Sequence, residues 1–423
     1  MLAYMRHTLF ALLLLCTQAG RAQGDAQKLE EVIRYFERGY YALNVPGLVL
    51  DFRQNLNAEL ATQNLAEQQA FFEELTQKLS TIDSASLSSD NVVDFTILSF
   101  EARLNMQRLE LISKTAKNAD IDDLERIYGF ENGPEWYAWY IKKWTGSEQS
   151  PEAIMAFGKE EVKRIKKAIK ALDLPEEKPA EFYTRDVNQI KQLLRAKSDL
   201  INTALKTLMP DFAELPDLAI ERGRNAALAQ APGYYNNNTF YFNLFDKPFD
   251  LADCDWLLIH EGNPGHHFQR NYHANQGRKS YRKGLRNLGF IEGWAAYTEN
   301  LGWEMGLYQN PFEALGKWNW DLIRSVRVVL DVAINYQGWT DEQCMNYWQE
   351  HINGQDDIAR REIARMKRWP AQVLTYKLGE AKIREALATE KQRLGETFSF
   401  KDFHTHILAN GPVPGSLTGF VLR

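Results

Sequence analysis

The chain has 423 residues, 44% of them apolar and 25% charged, with a formal net charge of −6. That composition belongs to an ordinary globular protein and excludes a fibrous or disordered chain. There is no basic surplus of the kind nucleic-acid binding requires, and the length allows a large core in one or two domains.

At the N-terminus, Arg6 and His7 precede the apolar run from Thr8 to Cys16, which is as long as a signal-peptide core and too short to span a bilayer. Gly20-Arg21-Ala22 offers small residues for a cut after Ala22. Residues 1–22 are therefore predicted to be a signal peptide, the mature chain to be exported to the periplasm or beyond, and no segment to cross the membrane. Cys16 introduces a rival, an N-terminal lipid anchor, although the bulky Leu14-Leu15 before it speaks for simple cleavage. Only Cys254 and Cys344 then remain, too few for a disulfide framework; their pairing is left open, and Cys254 reads as a small buried residue rather than a metal ligand.

From about residue 26 to 210 apolar residues recur at helical spacing, as in Phe95, Leu98, Ala102, Leu109 and Ile112 or Val187, Ile190, Leu194, Ile201 and Leu205. Breaks fall at Pro46-Gly47, Asn132-Gly133-Pro134, Leu174-Pro175 and Met209-Pro210. Between 231 and 250 the texture changes, and the aromatic-rich stretch Thr239 to Phe245 predicts a strand. It reads either as an edge that pairs with the backbone of a bound peptide or as a hairpin packed on the helices. Helices are predicted to resume at 251–275, 285–306, 312–336, 340–353, 356–367, 370–392 and 400–410. The expected architecture is mostly α with one small β-hairpin or sheet, as a single domain over 23–423. It comprises a helical scaffold (23–230) and a half that carries the metal site and binds substrate (231–423).

Three of the eight histidines stand between positions 260 and 267, and Glu261 follows the first of them. Imidazole is the commonest zinc ligand, and a carboxylate beside the first ligand suits the general base of a zinc hydrolase. The usual four-residue spacing is replaced by His260-Glu-Gly-Asn-Pro-Gly-His266-His267. A straight helix would align His260 with His267, but Pro264 and Gly265 disfavour one, and a bulge absorbing two residues would present His266 instead. His266 is the preferred second ligand and His267 the alternative. A third ligand is sought on another helix, where Glu292 sits among apolar residues and would be costly to bury without a cation. Glu299, seven residues on, shares its face and reads either as an acid that orients a ligating histidine or as a solvated surface acid. One zinc ion per chain is expected.

Three blocks together suggest a family: His-Glu-x-x-Pro-Gly-His-His-x-Gln at 260–269, Glu-Gly-Trp-Ala-x-Tyr-x-Glu at 292–299, and Pro-Ala-Gln-x-Leu-x-Tyr-Lys-Leu-Gly at 370–379. They resemble the bacterial domain-of-unknown-function 885 family, many of whose members are labelled as lipoproteins. That family is similar at a distance to helical zinc peptidases of the carboxypeptidase Taq and thimet oligopeptidase type. The resemblance implies a helical zinc-peptidase-like fold around one cleft, Glu261 as base, Glu292 as ligand, and Tyr376 as donor to a developing oxyanion. It also implies that Arg365 and Gln372 hold a substrate carboxylate or backbone. Typical members are longer, and one position departs: Asn335 stands where a histidine is expected. Hydrolysis of a peptide or related amide is the leading expectation. The alternatives are an exported peptide- or metal-binding protein without turnover, favoured by Asn335, and a zinc hydrolase acting on another ester or amide.

Overall fold

The structure is a computed structural model that describes residues 22–414 except 117–119, 176, 230, 278 and 286. Apart from Ala22, the predicted signal peptide, with Cys16, lies outside the described residues. Helices follow one another as α1 (22–39), α2 (Phe52–Leu60), α3 (Leu65–Ser80), α4 (Ser89–Lys114), α5 (Gly133–Thr145), α6 (Pro151–Lys170) and α7 (Val187–Leu208). After a stretch of short strands come α8 (Cys254–Glu261), α9 (His266–Asn275), α10 (Ser280–Gly284), α11 (Leu288–Thr298), α12 (Pro311–Asn335), α13 (Asp341–His351), α14 (Asp356–Arg368), α15 (Leu374–Leu394) and α16 (Phe400–Ala409). Local chemistry sets many of the starts. Ser88 caps α4, Asp186 caps α7, and Asn310 with Glu313 and Thr340 with Gln343 form capping boxes at α12 and α13.

Two compact units result. Among the described residues, one contains α1 to α4 and α10; the other contains 124–277 and the residues from Asn287 to 414, including every candidate site residue. In the first unit, buried Arg108 bonds Glu59 at 2.6 Å and Gln68, which satisfies a guanidinium that is 1% exposed. The second unit is built around α12, where every residue from Asp321 to Asn335 is buried. A helix buried on every side is a core helix, and its polar side chains must then find partners inside the protein. α12 shares a core with α6, α13 and α14 through Val162, Ile165, Val326, Leu330, Trp348 and Met366.

Two small sheets form: β1 (Tyr183–Thr184) pairs antiparallel with β5 (Phe249–Asp250), and β2 (Ala219–Arg222), β3 (Gly233–Asn236) and β4 (Thr239–Phe242) make a three-stranded sheet. β3 and β4 form a hairpin turned by Asn237-Asn238, both in the left-handed region, which matches the twist of the flanking strands. β2 lies parallel to β4 on its other side. The expected strand is thus present but ends at Phe242, and it is central. Both of its backbone edges are taken, so any pairing with a peptide falls to β2 or β3.

Helices α11 and α15 cross at small residues. A Cβ at Gly379 would land on the Gly289 carbonyl oxygen, and one at Gly293 on Gly379 itself. This close approach sets Glu292 and Tyr376 on neighbouring helices beside the crossing. Gly379→Ala is expected to force the helices apart at a cost of about 3 kcal/mol or more, the upper end for overpacking. Denaturant unfolding measures it, and an unchanged midpoint would contradict the packing described.

Candidate metal centre

The apolar run Trp256-Leu257-Leu258-Ile259 buries α8, whose last residues are His260 and Glu261. The helix does not bulge and continue through 275 as expected. It stops at Glu261 and restarts as α9 at His266, because Pro264 has no N–H with which to continue it. The Asn263–Pro264 peptide is cis. The Gly265 N–H donates to the Ile259 carbonyl at 3.0 Å and the His267 N–H to Gly262 at 3.1 Å, fastening the break. A side chain at 265 would collide with the His260 carbonyl, so only glycine permits this approach.

The restart turns His266 toward His260, with rings nearly perpendicular and centroids 4.9 Å apart. Glu292 on α11 joins them, its Oε2 lying 3.4 Å from His266 Nε2 and 3.9 Å from His260 Nε2. One ligand atom from each of the three lies within 4.8 Å of the others, a group that could hold a metal ion. His267 is not brought to it. Its buried ring donates from Nε2 to the Pro216 carbonyl at 2.8 Å, and its Nδ1 lies 3.3 Å from the Tyr235 hydroxyl. His351, His404 and His406 also stand apart from the group. Cys254 and Cys344 are buried free thiols.

Glu299, 1% exposed, accepts from His260 Nδ1 at 2.7 Å and from Arg324 at 2.7 Å. A carboxylate on Nδ1 fixes the tautomer and leaves the Nε2 lone pair facing Glu292 and His266. Burial alone would raise Glu292, yet the neighbouring His266 outweighs it and holds the carboxyl at about 2. Burial likewise lowers His266, and Glu292 reverses that to about 8. The two groups are therefore a charge pair when no cation lies between them. Half-buried Glu261 accepts from the Tyr235 backbone N–H on β3, and burial raises its pKa.

Tyr376 stacks near His260 at 6.4 Å between centroids, with the Arg324 and Arg327 guanidiniums 5.8 and 5.3 Å from its ring centre. Burial, then Glu292, raises its pKa, so the phenol keeps its proton and can donate. Arg365 hydrogen-bonds Tyr376 and donates to Gln372 Oε1 at 2.6 Å. Arg365, Arg327 and Arg361 also converge on one carboxylate, Glu362. Although burial raises Glu362, Arg327 and Arg365 hold it at about 2. Glu362 is 3% exposed and is a buried carboxylate held by these arginines.

Arg324, Arg327 and Glu362 were not among the expected site residues. Their signal was legible: two arginines three apart inside an apolar helix cannot be buried without partners. Asn335 is buried as well, donating to the Asp331 and Met366 carbonyls, both at 3.1 Å, and is not part of the metal-binding group. Arg324→Met should leave Glu299 as a buried charge with one fewer partner. The expected loss is about 3–5 kcal/mol of stability, read by denaturant unfolding, and a loss below 1 kcal/mol would count against the pairing.

The family pattern described as "Bacterial protein of unknown function (DUF885)" matches residues 105–417, about three quarters of the chain. The chain belongs to this family. Solved structures that resemble it include two that are each described as a "putative lipoprotein". For the one from Colwellia psychrerythraea, identity is 25% and TM-score 0.63, covering 87% of this chain and 68% of that one. For the one from Shewanella oneidensis, of unknown function, identity is 19% and TM-score 0.57, covering 93% and 76%. Trypanosoma cruzi metallocarboxypeptidase 1 aligns at 12% identity and TM-score 0.42, over 93% of each chain, a similarity too slight to assign function. No functionally curated protein matches the chain significantly. Among the described residues no helix is long and apolar enough to cross a membrane.

Proposed function

We propose that this DUF885 member is a zinc-dependent hydrolase of peptide or related amide bonds. The observation that carries the reading is the triangle of His260 Nε2, His266 Nε2 and Glu292 Oε2 with the Glu261 carboxylate beside it. Ligand atoms about 2.0–2.2 Å from a tetrahedral zinc lie roughly 3.4 Å apart, and the separations of 3.4 and 3.9 Å are of that size. Two imidazoles and one carboxylate are also the donor set of a catalytic zinc with an open position. When bound, zinc would polarise the scissile carbonyl and bring the pKa of a water near neutrality.

The chain's own residues supply the rest. Glu261 takes the proton of the attacking water and returns it to the leaving amine. Tyr376 donates to the oxygen that gains charge. Arg365 and Gln372 grip a substrate carboxylate or backbone from the same side. The edge of β3 away from β4, where the Tyr235 N–H reaches Glu261, can pair with an extended peptide through its other backbone groups. Export before residue 23 completes the reading, supported by the lipoprotein descriptions of the solved relatives. Cys16 is the point at which a lipid would attach if the leader is processed there.

A mixed library of quenched fluorogenic peptides, offered to chelator-stripped and zinc-restored protein, tests the proposal. Cleavage should vanish on stripping and return with one equivalent of zinc per chain. Cleavage that survives stripping would overturn it, and tight peptide binding by zinc-loaded protein without cleavage would identify a binding protein instead.

A further inference from the structure

Of the seven buried polar residues on α12, four are spaced by three, four and four: Arg324, Arg327, Asp331 and Asn335. That spacing keeps them on one stripe of the helix. The first two hold Glu299 and Glu362, as described above. The last two hold backbone. Asp331 Oδ1 accepts from the Ala371 N–H at 2.9 Å and from the Tyr137 hydroxyl at 2.7 Å, and Asn335 Nδ2 donates to the Met366 carbonyl at 3.1 Å. Asn335 therefore fastens the last turn of α14 at Met366, and Asp331 fastens the 369–373 connection to α15 at Ala371.

This connection carries the residues that would meet a substrate. Arg365 lies in the last turn of α14, Gln372 lies in the connection and is joined to Arg365 at 2.6 Å, and Tyr376 lies in the first turn of α15. Its conformation is not one the chain adopts unaided. Ala371 sits at φ +65 with no glycine to ease it, so the surroundings must hold it there. The group that holds the Ala371 N–H is Asp331, with 0% exposure. An ordinary core would fill that place with an apolar side chain, because burying a carboxyl is costly unless its bonds are needed.

We infer that Asp331, seconded by Asn335, is a positioning residue that sets the α14–α15 turn so that Arg365, Gln372 and Tyr376 stand beside the metal-binding group. The inference rests on the hydrolase reading above. It also gives Asn335 a role other than that of a missing catalytic histidine.

The test compares zinc-loaded wild type, Asp331→Ala, Asp331→Asn and Asn335→Ala on the best peptide from the library. Each is assayed for zinc content, kcat and KM, and hydrogen exchange of the 366–376 segment. Asp331→Ala should keep one zinc and lose roughly 10²-fold in kcat/KM, the scale of a misplacement of about 1 Å, with faster exchange at Ala371. Asp331→Asn, which keeps an acceptor of the same shape, should restore both. Asn335→Ala should lose less, in the same direction, and carries the comparison if Asp331→Ala does not fold. Unchanged kcat/KM in the alanine variants, or a loss that follows zinc content, would overturn the inference. Zinc-loaded wild type that cleaves nothing would instead overturn the reading on which it rests.

Discussion

Glu261→Gln is expected to remove turnover while leaving one zinc bound per chain. Glutamine keeps the size of the side chain and an acceptor for the Tyr235 N–H, so the break between α8 and α9 should survive. It cannot take up a proton. If Glu261 is the base, the loss should be about 10²–10⁴-fold in kcat, with KM little altered because the residue does not grip the substrate. A variant within a few-fold of wild type would remove Glu261 from the mechanism.

The second large effect concerns Glu292. Glu292→Ala should weaken zinc binding by more than the roughly 10–100-fold that loss of an outer partner costs, since a direct ligand is removed. Unfolding with and without metal makes this visible. At zinc about 1,000-fold above its Kd, wild type should gain about 4 kcal/mol of stability, and Glu292→Ala should gain little at the same concentration. The metal-free pair also sets a pH dependence. Glu292 overrides burial and keeps His266 protonated up to about pH 8, so zinc must displace that proton. Apparent affinity should therefore weaken as pH falls below about 8. Affinity that is flat from pH 9 to 6 would place the metal elsewhere.

Much of this centre is legible in the sequence. His260 and Glu261 end an apolar helix, Glu292 is an acid among apolar neighbours, and Glu299 follows at a spacing that keeps the two on one face. The choice between His266 and His267 was not readable from periodicity, because it is set by where the helix stops. That depends on how closely Gly265 can approach the His260 carbonyl. β2 was missed for a different reason: it pairs with β4 across about twenty residues, and four-residue strands leave little pattern of their own. The polar stripe on α12 was misread in part, since Asn335 looked like a loss when compared with the family and not like the partner of the Met366 carbonyl. Buried polar residues in an apolar helix signal a need for partners, but sequence does not say which backbone groups supply them.

Diffraction from crystals grown with zinc, recorded on both sides of the zinc absorption edge, addresses the central claim most directly. The account predicts one strong anomalous peak per chain within bonding distance of His260 Nε2, His266 Nε2 and Glu292, with Glu261 alongside but not coordinating. No peak among those three side chains, or a peak held by His267, would contradict it.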